Sequence, residues 1–168
     1  MKVFDEKFRD NKARYILQCL LATSSSFIIL FILDTMSHAA IIAALGASSF
    51  IAFTMPEAQM SRPRFLIGGY LVGMATGCLC CYLRWIPLLA TLPITRGHSN
   101  VLFGAIAVGL AIFVMVITDT EHPPAASLAL GLVLNDGCNC KTLAVVLIGI
   151  VSLSAIKAVL RPVLRNLL

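Results

Sequence analysis

The sequence predicts an all-α integral membrane protein: four long transmembrane helices, two short broken or re-entrant helices, and a two-fold internal repeat of three plus three. Three observations carry that prediction. Of 168 residues, 59% are hydrophobic and 12% charged, which leaves too little polar surface to cover a soluble globule of this size. Runs at 15–33, 65–83, 101–118 and 142–160 meet or approach the roughly 20 apolar residues that cross about 30 Å of hydrocarbon. Two shorter runs, 39–55 and 125–134, each follow a polar break.

The third observation is self-similarity. An offset of 85 aligns ILDTMSHAAIIAALG (32–46) with ITDTEHPPAASLALG (117–131), with seven of fifteen positions identical, Asp34/Asp119, Thr35/Thr120 and Gly46/Gly131 among them. One domain, 1–168, then holds repeats at about 15–83 and 101–165. Three crossings per half make the repeats inverted, a common transporter plan in which broken helices meet near the membrane midplane. Re-entrant short helices would make the repeats parallel.

The N-terminal MKVFDEKFRDNKAR carries five basic and three acidic residues, with no small-residue cleavage site after the first apolar run, and reads as an uncleaved anchor. The net charge of +5 lies at chain ends and between apolar runs, where membrane helices carry it, so nucleic acid is not an expected partner. Six crossings and four crossings both put ten basic residues on the side of the termini and three opposite. Both termini are therefore expected in the cytoplasm, and charge does not distinguish four crossings from six.

DTEHPPAASLALGL, at 119–132, concentrates two acids, a histidine and two prolines against an apolar run. Proline suits the first turn of a helix, so a helix is expected to begin at Pro123 and Pro124, with Asp119 or Thr120 capping the break and His122 just before it. Free N–H groups and the positive dipole end there would favour a small anion. Asp34, Thr35 and His38 precede the other short run in the same way. The competing account is a solvated loop at the membrane surface.

These residues resemble the HPP family of integral membrane proteins, named for the triplet His122-Pro123-Pro124. The resemblance covers nearly the whole chain: HPPAAS from His122 through Ala125 and beyond, GAS at Gly46, Ala47 and Ser48, Pro56, and a Pro-Arg…Gly-Gly stretch at Pro63, Arg64, Gly68 and Gly69. Where the family pattern has Asn after that Arg and His after the glycine pair, this chain has Phe65 and Tyr70. The resemblance implies transport, with nitrite as the leading substrate, four membrane helices, and residence in a membrane such as the bacterial inner membrane.

Arg62 and Arg64 suit either an anion vestibule or membrane-edge anchors. Gly69, Gly73 and Gly77 form one helical stripe for close backbone approach, within the monomer or in a homo-oligomer. Cys78, Cys80, Cys81, Cys138 and Cys140 lack zinc-site spacing, so neither metal nor cofactor is expected; a disulfide among them is open if they face an oxidising compartment. No nucleophile elbow, phosphate loop or dinucleotide fingerprint appears, and no enzymatic activity is expected. The alternative to transport is an assembly or regulatory membrane subunit without a permeation path.

Overall fold

The computed structural model describes residues 13, 16–21, 23–25, 39–86 and 99–167. Among these residues all regular structure is helical: α1 (Ile16–Ser25), α2 (Ala39–Thr54), α3 (Pro63–Arg84), α4 (Ser99–Thr118), α5 (Pro123–Leu134) and α6 (Cys140–Leu160), with a 3₁₀ turn at Gln59–Ser61. Helices α3, α4 and α6, of 22, 20 and 21 residues, are long and apolar enough to cross a membrane. The fourth long run, 15–33, falls partly outside the described residues.

Each boundary has a local cause. Pro63 occupies the first turn of α3, and Pro123 and Pro124 open α5, where a missing N–H is harmless and the fixed φ favours helix. Helix α6 opens on Asn139, whose side chain accepts from the Thr142 N–H at 2.9 Å. Helices α4 and α5 both stop at an aspartate with left-handed backbone, Asp119 (φ 52°) and Asp136 (φ 50°). The following N–H groups, of Thr120 and Gly137, then reach back to the carbonyls of Met115 and Leu132 at 3.0 and 2.9 Å, closing the last turn in a Schellman motif. Aspartate tolerates this conformation better than most side chains.

Helix α5 is the axis of the bundle. It packs on α2, α3 and α4, while α6 packs on α2 and α3. The glycine stripe of α3 makes this possible. A Cβ on Gly73 would lie 2.3 Å from the Ala125 carbonyl oxygen, and one on Gly77 3.0 Å from the Ala129 Cα. The stripe therefore serves contact within the chain, and α3 and α5 run side by side in the same direction: His122 lies at Gly69, Ala125 at Gly73, Ala129 at Gly77 and Val133 at Arg84. Helix α5, 12 residues long, starts inside the bundle, and together with its connector from α4 it carries the chain from one end to the other instead of returning it to the end it left. Outward faces of α4 and α6 are apolar, with Ile112, Phe113, Val116, Ile148 and Val159 exposed, as contact with lipid requires.

Helix α1 and the segment after α6 meet at one end of the bundle. Gln18 of α1 donates through Nε2 to the carbonyls of Phe53 and Arg165, both at 2.8 Å, and Leu167 N–H donates to Thr54 O at 2.9 Å. Arg62, Arg64, Lys157, Arg161 and Arg165 belong to this basic end. The opposite end holds Arg84, which is 7% exposed. Its guanidinium donates to Asn100 Oδ1 at 2.7 Å and to Val133 O at 3.1 Å, and pairs with Asp136, so it ties α3, α4 and the last turn of α5 together.

Candidate functional site

Inside the bundle, three side chains from three different elements form one hydrogen-bonded chain. Ser48 of α2 places Oγ 2.8 Å from His122 Nε2 and 2.9 Å from the Tyr70 hydroxyl of α3. His122 Nδ1 lies 3.2 Å from the carbonyl oxygen of Met60, in the 3₁₀ turn. The rings of Tyr70 and His122 sit 5.7 Å apart at 44°. Ser48 and Tyr70 are 0% exposed and His122 1%.

Donor counting fixes the proton positions. A carbonyl only accepts, so Nδ1 carries a hydrogen and the neutral ring presents Nε2 as an acceptor. Ser48 then donates to Nε2 and accepts from Tyr70. Its alternative acceptor is the Ala44 carbonyl, 3.0 Å away. If Nε2 gains a proton, the Ser48 hydroxyl turns to Ala44 O and accepts from both His122 and Tyr70, and every partner stays satisfied. Both protonation states of His122 therefore fit one heavy-atom arrangement. His122 belongs to the connector between α4 and α5, outside the three long spans. Burial pushes its pKa down to about 4, against the opposing hydrogen bond to Met60, so the resting ring is neutral.

Depth follows from the α3 contact. Gly69 is the seventh residue of α3, so His122 lies about 9 Å along a helix about 33 Å long. The site therefore lies on the basic side of the midplane, about 7 Å short of it.

The start of α5 differs from an open anion cradle. Pro123 and Pro124 have no N–H, and the Ala125 N–H donates to His122 O at 2.9 Å. His122 is the N-cap residue but makes no side-chain cap bond. Asp119 ends α4 rather than capping α5, and its carboxylate lies 3.3 Å from Arg64. Arg64 also donates to Thr118 O at 3.2 Å, completing the exposed carbonyl end of α4, where a cation is favoured. Thr120 bonds to Thr118 Oγ1 at 2.8 Å and packs its methyl against Gly68.

Of the residues singled out in the sequence, the structure brings together His122, Ser48, Gly69, Pro124 and Ala125. Gly46 and Ala47 face outward from α2, and Gly46 lines a separate cavity with Gln18, Ser49 and Phe53. Asp34, Thr35 and His38 lie outside the described residues, so the repeat's first polar break is not part of the observed geometry. Tyr70 and Met60 were not singled out as site residues. Tyr70 carried a signal as the departure from the family pattern, whereas a backbone acceptor leaves none. All six cysteines are free, and among the described residues no group of His, Cys, Asp or Glu is arranged to hold a metal.

Compared with known families, the chain matches the model described as HPP, transmembrane region, over residues 9–166. No curated protein and no solved structure matches it.

Proposed function

The chain belongs to the HPP transmembrane family, whose membership points to membrane transport in general, and we propose that it moves a small monovalent anion, nitrite being the leading candidate, together with a proton. The observation that carries this reading is the Tyr70–Ser48–His122 chain, which accommodates a neutral or a protonated imidazole by one hydroxyl rotation. An anion arriving beside His122 favours the imidazolium, so it brings a proton with it. Because the first three positions of α5 offer no free N–H, recognition in this reading rests on the His122 proton and the hydroxyls rather than on the helix end. The anion enters from the basic end, which the positive-inside rule places in the cytoplasm with both termini.

A Ser–His pair at 2.8 Å also has the spacing of a hydrolytic dyad. Two features favour transport over hydrolysis: Ser48 is sealed from solvent, and the prolines remove the N–H donors an oxyanion would need. That same sealing favours the second reading, an assembly or regulatory subunit with no permeation path. In the transport reading α2 must part from the α3–α5 seam for an anion to reach His122. A homo-oligomer would form through the outward faces of α4 or α6, because the glycine stripe is covered within the chain.

Nitrite flux into proteoliposomes, with flux into protein-free vesicles subtracted at each pH, tests the reading. Flux is expected to rise as pH falls on the side to which the site is open, and His122→Gln is expected to flatten that dependence while leaving some flux. No flux above the vesicle background would favour the assembly subunit. Full pH dependence in His122→Gln would remove the histidine from the mechanism.

A further inference from the structure

A second polar site lies at the basic end, apart from the His122 chain. A cavity of about 660 Å³ opens between the α2–α3 connector and the last turns of α6. Arg62, Lys157 and Arg161 line it, with Ser154, Glu57 and Leu164. Lys157 is 8% exposed, yet among the described residues its ammonium has only the neutral Ser61 carbonyl as a partner. Arg62 and Arg161 have no side-chain hydrogen bond or ion pair among the described residues. Ser154 is 7% exposed, and its hydroxyl has no partner among them either. The single carboxylate of the lining, Glu57, accepts from Asn166 Nδ2 at 3.2 Å and pairs with no cation among the described residues.

Three cations and a free hydroxyl converge on one space, and a cation withdrawn from water without a counter-charge is costly. We propose that this cavity binds the phosphate of an anionic membrane lipid. Position favours a lipid over a soluble anion: Arg62 is the N-cap of α3 and Arg161 the C-cap of α6, two membrane-spanning helices, so both cations sit at headgroup depth. Lining is mixed, with Leu164 and Pro56 beside the charges, which suits a phosphodiester continuing into glycerol and acyl chain. Basic pockets between helices at the cytoplasmic face bind such headgroups. The volume is many times that of nitrite, and the site stands whether or not nitrite is the cargo.

Occupancy also touches the first site mechanically. The Met60 carbonyl holds His122 and the next carbonyl, Ser61, holds Lys157. A phosphate that draws Lys157 away releases one of two adjacent anchors of the same turn.

Native mass spectrometry of the full chain in neutral detergent, titrated with phosphatidylglycerol or phosphatidylcholine, tests the proposal. Phosphatidylglycerol is expected to bind saturably at one site and phosphatidylcholine not to. Arg62→Gln and Arg161→Gln, both at exposed side chains, are each expected to weaken phosphatidylglycerol by about tenfold, the effect of losing one charge-assisted hydrogen bond. Arg165→Gln, at the same end but outside the cavity, is expected to leave it unchanged. Equal binding of the two lipids, or equal weakening by Arg165→Gln, would overturn the site. Displacement of phosphatidylglycerol by millimolar inorganic phosphate or nitrite would make the occupant a soluble anion and overturn the lipid assignment.

Discussion

The two ends of the bundle handle buried positive charge in opposite ways. At one end Arg84 is answered by the protein itself, through Asn100, Val133 O and Asp136. At the other, Lys157 is almost as buried and has one neutral carbonyl, while Arg62 and Arg161 face the same cavity without a carboxylate partner among the described residues. A satisfied cation fixes helices in place; an unsatisfied one leaves binding energy for something outside the chain. Arg64 sharpens the contrast from within the basic end. Although it belongs to the family-like stretch, it is committed to Asp119 and Thr118 O, whereas its neighbour Arg62 makes no side-chain hydrogen bond or ion pair among the described residues.

Breaking the seam that holds both ends in register has the largest expected effect. Gly73→Ala drives a methyl against backbone at 2.3 Å, which only a shift of α3 from α5 relieves. We expect a loss of folded protein well beyond the roughly 1 kcal/mol that alanine gains over glycine in a helix. Gly46→Ala, with nothing within 4 Å of its new methyl, is the matched control and should leave the melting temperature in detergent unchanged or raised. Equal behaviour of the two variants would contradict the α3–α5 packing.

Next in size is the closed end. Arg84→Met strands the Asn100 and Val133 acceptors and should cost about 2–4 kcal/mol, discounted from a fully buried pair because Asp136 is 59% exposed. Thermal unfolding measured by intrinsic fluorescence reads this directly. Arg161→Gln should move the same transition far less in lipid-free detergent, and a comparable loss there would erase the difference between the ends.

The pH dependence comes third. Above pH 6.5 His122 is neutral both folded and unfolded, and full stability is present. Between the ordinary value of 6.5 and the folded value of about 4, only the unfolded chain takes up the proton. Stability therefore falls as pH drops through that window, by roughly 3 kcal/mol in total. The comparison of His122→Gln with the unmodified protein at pH 7 and pH 4.5 isolates this contribution, and an unchanged slope would show that other groups carry it.

The smallest effect belongs to Asp119. Its ion pair with Arg64 is exposed on both sides, 64% and 57%, and contributes at most about 1 kcal/mol. Asp119→Asn keeps a side chain that tolerates left-handed backbone and should unfold within that margin. Asp119→Val, whose branched Cβ resists positive φ, should be the more destabilised of the two.

The sequence by itself determined what solvent and local chain chemistry dictate. Apolar runs located α3, α4 and α6, because hydrocarbon admits no unpaired backbone. Proline marked the start of α5, because its φ and missing N–H act on its own turn, and His122 and Ser48 stood out beside the motifs that contain them. Glycine spacing marked a packing face on α3 without saying what would cover it. Only the tertiary structure decided that α5 covers that face and, with its connector, carries the chain through the bundle, that Asp119 closes α4 instead of opening α5, and that Tyr70, Ser48, His122 and Met60 O form one chain. It alone set Lys157 beside Arg62, 95 positions earlier in the sequence. The reason is physical: periodicity and propensity act over one or two turns, whereas a hydrogen bond or a cluster of charges depends on which helices touch and at what height.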